Sequence, residues 1–102
     1  MPKVVAELKI TPLGTGSPSL SSHIARGLKA LKKAKVKFII GPSGTTLEGE
    51  LKDVLKAVEL AHNAVFNKKV QRVATYLAID DRRDKKLTAA GKLRSISHKM
   101  KH

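Results

Sequence analysis

The segment Val70-Gln-Arg-Val-Ala-Thr-Tyr-Leu-Ala-Ile-Asp-Asp-Arg-Arg-Asp-Lys85 decides how the rest of the 102-residue chain is interpreted. Its first part alternates in the manner of a β-strand, which places two sets of side chains on opposite faces. One set is Val73, Thr75, Leu77 and Ile79, and the other is Arg72, Ala74, Tyr76, Ala78 and Asp80. The strand pattern then stops in a cluster of mixed charge, where a plain turn would need only Gly, Asn or Pro.

The charged cluster at residues 80–84 has two interpretations. Its acidic and basic side chains can pair with one another within the chain, as exposed ion pairs often do. Alternatively, the cluster serves in binding or in a subunit contact, the latter through Asp80, Asp81, Arg82 and Arg83. The carboxylates could also hold a metal ion, but the two arginines would compete for them. We therefore predict a subunit contact here and no metal site.

The first half of the chain predicts a strand, a helix and a hairpin. Residues from Lys3 to about Thr11 alternate between apolar and polar types, and Pro12 is expected to end this strand. A loop rich in Gly, Ser and Pro follows, and a serine of this region is expected to cap the next helix. The helix has an apolar stripe formed by Leu20, Ile24, Leu28 and Leu31. Residues 36–40 and 45–48 then form two short strands around the turn at 41–44.

The second half predicts two helices on either side of the long strand. The first begins near Gly49 or Glu50, with acidic residues in its first turn as the helix dipole favours. Its apolar stripe is Leu51, Val54, Val58, Ala61 and Val65. The last helix is expected to begin after a Thr88 cap and to run to about Met100.

The resulting order is β-α-β-β-α-β with an added C-terminal helix, which is a ferredoxin-like α+β sandwich. We expect one domain spanning residues 1–102. Right-handed crossovers give an antiparallel sheet with the strands in the order fourth, first, third, second. This topology places the loop at 14–19 and the turn at 41–45 at one end of the sheet. Residues 48–50 and 80–84 then lie towards the other end.

The overall composition bounds the possible partners. The formal net charge is +13, from 21 Lys+Arg against 8 Asp+Glu, which favours an anionic partner such as nucleic acid, a phosphorylated ligand or a membrane surface. A high lysine content is also typical of proteins from thermophiles, so the net charge alone does not identify which of these partners the protein has. The absence of Cys excludes disulfides and thiolate nucleophiles. We find no apolar run long enough for a membrane span and no signal core, so we expect a soluble cytoplasmic protein.

The sheet face that the two main helices leave uncovered is less polar than a solvated face should be. It is expected to carry Val5, Glu7, Lys9, Thr11, Ile39, Thr46, Glu48, Ala74, Tyr76 and Ala78. The long fourth strand is also an edge strand, and edges are usually covered or paired. Both features predict a homo-oligomer that buries this face.

Four segments of the chain carry a resemblance to a known family. They are Pro12-Leu-Gly-Thr-Gly-Ser-Pro-Ser19, Gly41-Pro-Ser-Gly-Thr-Thr-Leu-Glu48, Ala61-His-Asn-Ala-Val-Phe66 and Ile79-Asp-Asp-Arg-Arg-Asp-Lys85. In this order they resemble the small thiamine-binding proteins of archaea, bacteria and yeast, over nearly the whole chain. The resemblance implies a ferredoxin-like fold, a homotetramer and binding of thiamine or its hydroxymethylpyrimidine half. It implies no catalysis, and no cofactor is expected.

A ligand of this type needs particular side chains. Its aminopyrimidine presents an amine donor and ring nitrogen acceptors, which a carboxylate and hydroxyl groups can recognise. We predict Glu48 as the main polar contact, although a charge near a helix start is the simpler explanation of it. The neighbours expected to assist are Thr45 or Thr46 and Thr11, with Tyr76 covering the ring. If the ligand carries a phosphate, the helix-entry loop could receive it through Thr15, Ser17 and Ser19, unless that loop is simply a tight connection. His62 is expected to be a satisfied residue at the edge of the core.

Two other function classes compete with vitamin binding. A basic nucleic-acid-binding module would use the positive charge of the first helix and the tail, with salt-dependent and sequence-independent affinity. RNA-recognition modules share this fold, but they stack bases on several sheet aromatics, and the exposed face here offers only Tyr76. An acylphosphatase-like enzyme also shares the fold. It would need an Arg in the loop at 14–19, and the nearest, Arg26, lies well inside the helix. We therefore expect a protein that is not an enzyme.

Overall fold

The computed structural model describes residues 3–101, so residues 1, 2 and 102 of the predicted domain lie outside the described range. The elements occur in the predicted order. They are β1 (Lys3–Leu13), α1 (Ser21–Ala30), a 3-10 turn (Leu31–Lys33), β2 (Lys37–Ile40), β3 (Thr45–Glu50), α2 (Leu51–Val65), β4 (Arg72–Asp80) and α3 (Ala89–Met100). The α+β ferredoxin-like arrangement with an added C-terminal helix is confirmed.

The sheet has the order β2-β3-β1-β4, and every neighbouring pair is antiparallel. This is the predicted order read from the other edge. Val5 of β1 lies opposite Glu48 of β3 on one side and Asp80 of β4 on the other. Leu13, at the far end of β1, pairs with Arg72. The ends of the sheet are therefore arranged as the topology predicts, with the charged cluster at 80–84 far from the loop at 14–19.

The core lies between one sheet face and the helices α1 and α2. Its buried members are Val4, Ala6, Leu8, Ile10, Leu31, Leu47, Val54, Ala57, Ala61, Val65 and Val70. The two helices approach closely at Gly27, where a Cβ atom would lie 2.5 Å from the side chain of Val65 and 2.9 Å from the carbonyl oxygen of Ala61. Glycine at this position therefore allows a close helix crossing.

Three local predictions are wrong. Pro12 does not end β1, which continues to Leu13. The neighbouring strand β3 pairs with β1 only as far as Leu8, so one side of Pro12 has no strand neighbour. A proline, which lacks a backbone N–H, is tolerated at such an edge position. No serine side chain caps α1, whose N-cap residue is Leu20. Val70 precedes β4 and is buried in a turn, where its N–H donates to the Asn67 side chain.

Two predictions about single side chains are confirmed. Thr88 caps α3, and its hydroxyl oxygen accepts a hydrogen bond from the Gly91 N–H at 2.9 Å. His62 is half-buried: its Nδ1 lies 2.6 Å from the Thr75 hydroxyl, and its ring meets Phe66 edge-on. Within residues 3–101, no helix has both the length and the apolar character needed to cross a membrane.

Candidate functional site

The first turns of the C-terminal helix α3 lie beside the sheet face that α1 and α2 leave uncovered. At its N-terminus, the Ala89 N–H donates to Oε1 of Glu48 at 2.9 Å. One turn later, the Lys92 ammonium pairs with the Asp80 carboxylate at the end of β4. These two contacts attach the start of α3 to an inner strand and to an edge strand of the sheet.

A groove of about 370 Å³ separates α3 from the sheet. We call it the open-face groove. Its lining is Val5, Ala6, Glu7, Ile39, Thr46, Ala78, Ile79, Asp80, Ala89, Lys92, Leu93 and Ile96. Most of these side chains are apolar, and the volume falls within the range of small-molecule sites. A small ligand with an apolar body is therefore compatible with its size and lining.

The Glu7 carboxylate is the polar centre of the open-face groove. Strand register places Glu7 in one cross-strand row with Ile39, Thr46 and Ala78. The Thr46 hydroxyl donates to Oε2 of Glu7 at 2.9 Å, which holds the carboxylate in position. Gly44 leaves the space for it, since a Cβ atom there would lie 2.5 Å from Oε1 of Glu7. The groove thus offers a solvent-exposed carboxylate acceptor, hydrogen-bonded to Thr46, beside apolar walls.

A second cavity, of about 580 Å³, adjoins the groove and shares Asp80, Lys92 and Ile96 with it. We call it the cationic cleft. The rest of its lining is Arg82, Lys85, Lys86, Leu87, Thr88, Gly91, Arg94 and Ser95. Five cationic side chains and one carboxylate line this cleft, so it attracts anions.

The charged cluster at 80–84 forms ion pairs within the chain. Arg83 donates to Asp81 at 2.8 Å and Arg82 donates to Asp84 at 2.7 Å. These hydrogen bonds from the arginines hold the pKa of both exposed carboxyls below the usual range. Local pairing, the simpler of the two interpretations, is therefore present in the protomer. A subunit contact through Asp80, Asp81, Arg82 and Arg83 stays a prediction.

The structure separates the residues predicted to bind ligand. Thr46 lines the open-face groove, and Glu48 lies on the same face but is engaged by α3. Thr45 is buried on the opposite face, and with Thr11 it lines a third cavity of about 450 Å³ beside α1. Tyr76 lies on the open face, is 63% exposed and lines none of these cavities.

The predicted phosphate loop lies at the far end of the sheet. Gly14 and Gly16 adopt positive φ angles of 70° and 77°, which favour glycine. Within the loop, the Thr15 hydroxyl donates to the Ser17 carbonyl oxygen at 2.9 Å, and the Ser17 hydroxyl oxygen accepts from the Ser19 N–H at 3.1 Å. These side chains thus stabilise the loop itself. Thr15, Ser17 and Ser19 share no cavity with Thr46 or Glu48.

Sequence reasoning placed Glu7 on the open face but did not choose it, and it missed Leu93 and Ile96 as part of a site. The signal for Glu7 is an acidic residue between Val5 and Lys9 in an alternating strand. No sequence signal shows where α3 docks, so the helix side of the groove could not be predicted. Among residues 3–101, no group of three His, Asp or Glu side chains could hold a metal ion.

Comparison with known proteins identifies the family. The family model for thiamine-binding proteins matches residues 6–97. A UPF0045 protein of Methanothermobacter thermautotrophicus is 45% identical over 98 residues, covering 95% of this chain and 99% of the relative. A UPF0045 protein of Bacillus subtilis is 40% identical over 97 residues, covering 91% and 93%.

Solved structures agree with the family match. A hypothetical protein of Methanocaldococcus jannaschii has a TM-score of 0.87 at 42% identity, covering 95% of this chain and 98% of its own. A Thermotoga maritima protein, assigned provisionally to thiamine biosynthesis or salvage, has a TM-score of 0.76 at 25% identity, covering 93% and 99%. The family match extends over nearly all of the chain and includes both sides of the open-face groove. The chain therefore belongs to the thiamine-binding protein family.

Proposed function

We propose that this protein binds thiamine or its hydroxymethylpyrimidine half in the open-face groove, without catalysing a reaction. The observation that supports this most strongly is the Glu7 carboxylate, which Thr46 holds at 2.9 Å between apolar walls. The family membership supports a thiamine-related ligand, and the geometry favours this groove over the other cavities.

The chemistry of the ligand matches the groove. The exocyclic amine of an aminopyrimidine donates to a carboxylate such as Glu7, and the ring faces contact apolar side chains such as Ile39 and Leu93. Thiamine also carries a positively charged thiazolium, which a carboxylate attracts. The third cavity, beside α1, has only Lys9 as a charged lining residue, so it would repel the same ligand.

Calorimetric titration with thiamine and with hydroxymethylpyrimidine, in low and in high salt, tests this assignment. We expect saturable binding of both, and the affinity for hydroxymethylpyrimidine should change little with salt. Glu7→Gln should weaken binding by about 1–2 kcal/mol, or roughly tenfold, because the ligand's amine would then donate to a neutral amide oxygen instead of a charged carboxylate. Glu59→Gln is the matched control, since Glu59 is exposed on α2 and lines none of the three cavities. Absence of heat with both compounds would contradict the assignment.

Binding without turnover is a separate part of the proposal. After long incubation of the protein with thiamine, chromatography should recover the ligand unchanged. A protein-dependent product that grows with time would instead indicate an enzyme.

We further propose that the protein is a cytoplasmic homo-oligomer, in line with the tetramer that the family resemblance implies. Exposed apolar side chains support the oligomer: Leu93 is 66% exposed, Ile96 55% and Met100 80% on α3, and Tyr76 is 63% exposed on β4. β4 is also an edge strand of nine residues, and an edge of this length is usually covered or paired.

Binding of nucleic acid is the second candidate, and the charge distribution favours it. Residues 8–47 contain seven Lys or Arg, residues 85–102 contain six, and neither segment contains an acidic residue. The positive charge of these two segments therefore equals the formal net charge of the whole chain, +13. Affinity for oligonucleotides that falls steeply with salt, with no preference for the vitamin, would support this candidate.

A further inference from the structure

We propose that the cationic cleft binds the phosphoryl groups of a phosphate ester whose aminopyrimidine body occupies the open-face groove. The ligand class is then a phosphorylated thiamine rather than the free vitamin. The identity of the body rests on the function proposed above. The affinity of the cleft for phosphoryl groups rests on its own side chains.

The cleft has more positive charge than Asp80 in its lining and the neighbouring Asp84 neutralise. Arg82 is held by Asp84, and Lys92 is held by Asp80. The side chains of Lys86 and Arg94 form no hydrogen bond or ion pair with any other residue in the range 3–101. Arg and Lys are the side chains that bind phosphate most strongly, and Arg can do so through two parallel hydrogen bonds. These two cations are therefore available to an anion.

Hydroxyl groups accompany the free cations. Ser95 and Thr88 line the same cleft, and their hydroxyls can donate to phosphate oxygens. The hydroxyl oxygen of Thr88 already accepts from the Gly91 N–H, so its own hydrogen remains to be donated. The cleft thus combines charge with neutral donors, as phosphate sites commonly do.

The two cavities adjoin, which allows one molecule to occupy both. They share Asp80, Lys92 and Ile96, so an apolar body in the groove can extend an anionic end into the cleft.

The loop at 14–19 is a poorer phosphate site than the sequence suggested. Residues 10–25 contain no Lys or Arg, and the loop hydroxyls are engaged within the loop.

Calorimetry at constant ionic strength with four probes tests this inference. The probes are thiamine, thiamine monophosphate, thiamine diphosphate and inorganic pyrophosphate. The phosphate esters should bind more tightly than thiamine, and pyrophosphate should bind on its own. In the double variant Lys86→Gln with Arg94→Gln, the advantage of the diphosphate should fall about fivefold to tenfold, as expected for two exposed charge contacts.

Two further variants separate a local effect from a general effect of charge. Lys29→Gln with Lys32→Gln makes the same change in net charge at exposed positions outside the cleft, so the diphosphate advantage should stay as in the original protein. Asp80→Asn removes the only carboxylate from the cleft lining, so pyrophosphate should bind more tightly. Thermal unfolding of each variant checks that it folds.

The outcomes distinguish this inference from the proposed function. Equal affinity for thiamine and its esters would overturn the cleft assignment and leave vitamin binding intact. Pyrophosphate binding that only the cleft variant weakens, without binding of thiamine, would support the cleft and contradict the proposed function. Equal losses in both double variants would indicate a general effect of charge and would overturn the cleft assignment.

Discussion

The Glu48 carboxylate accepts a hydrogen bond from the Ala89 N–H at 2.9 Å, across 41 positions of the chain. This contact fixes the start of α3 against β3. Glu48→Ala should therefore loosen α3, because the helix N-terminus loses both an acceptor and a favourable negative charge. We expect faster hydrogen exchange of the α3 amides and little change in the amides of α2. Glu59→Ala is the matched control and should leave both helices as they are.

Substitution of Glu48 also distinguishes two models of which carboxylate contacts the ligand. If Glu48 holds the helix and Glu7 contacts the ligand, Glu48→Gln should affect thiamine affinity less than Glu7→Gln, because Gln retains an acceptor for Ala89. A larger loss for Glu48→Gln would mean that Glu48 is the main polar contact, as the sequence predicted.

The close crossing of α1 and α2 predicts that Gly27→Ala destabilises the protein. The new methyl group would meet the Val65 side chain at 2.5 Å and the backbone oxygen of Ala61 at 2.9 Å. Overpacking of this kind costs about 1–3 kcal/mol, which exceeds the gain of up to about 1 kcal/mol from better helix propensity. Urea unfolding should show a lower midpoint. An unchanged or higher midpoint would show that the two helices can move apart at no cost.

The exposed ring of Tyr76 predicts a role in assembly. Tyr76→Glu should lower the mass measured by light scattering at low micromolar concentration, because a charge replaces apolar surface on the open face. The sheet itself should tolerate the change, since residue 76 faces Lys9 across the β1–β4 ladder. Leu55→Glu places the same charge on exposed α2 and should not change the mass. Equal masses for all three proteins would exclude Tyr76 from the subunit contact.

The arginine pairs in the charged cluster predict a pH dependence with a definite sign. The pKa of Asp81 is lowered by the hydrogen bond from Arg83, and that of Asp84 by the bond from Arg82. Their contribution to stability is therefore complete above the usual Asp pKa of about 3.9 and is lost as the pH falls through the lower folded values. Carboxyl NMR titration should show both shifts. Arg83→Gln should return the pKa of Asp81 to the ordinary range and leave the pKa of Asp84 lowered. Ordinary pKa values for both carboxyls in the original protein would show that the pairs do not form in solution.

The sequence predicts the fold well because alternation and helical spacing are local signals. The period-two pattern of β1 and β4 and the stripe of α2 led directly to the observed sheet order. The errors at Pro12 and Val70 have a different origin. Whether Pro12 can remain in a strand depends on how far β3 extends beside it, and the burial of Val70 depends on a turn that Asn67 closes.

The site could be predicted only in part, because one of its sides depends on contacts between elements that are distant in the sequence. Thr46 and Glu7 follow from the alternation of β3 and β1, which places them on the open face. The choice between Glu7 and Glu48 depends on where α3 docks, and a helix docked through one backbone N–H and one lysine has no strong sequence signature. Placing Thr45 with Thr46 also ignored the alternation of the strand, which sends the two side chains to opposite faces.

The most direct test of the central claim is chemical-shift mapping with hydroxymethylpyrimidine on isotope-labelled protein. If the open-face groove is the binding site, the largest shifts should occur at Val5, Glu7, Thr46, Ala78 and Leu93, and the loop at 14–19 should remain unchanged. Shifts concentrated instead at Thr11, Leu20, Ile24 and the turn at 41–45 would place the ligand in the cavity beside α1 and would contradict the account.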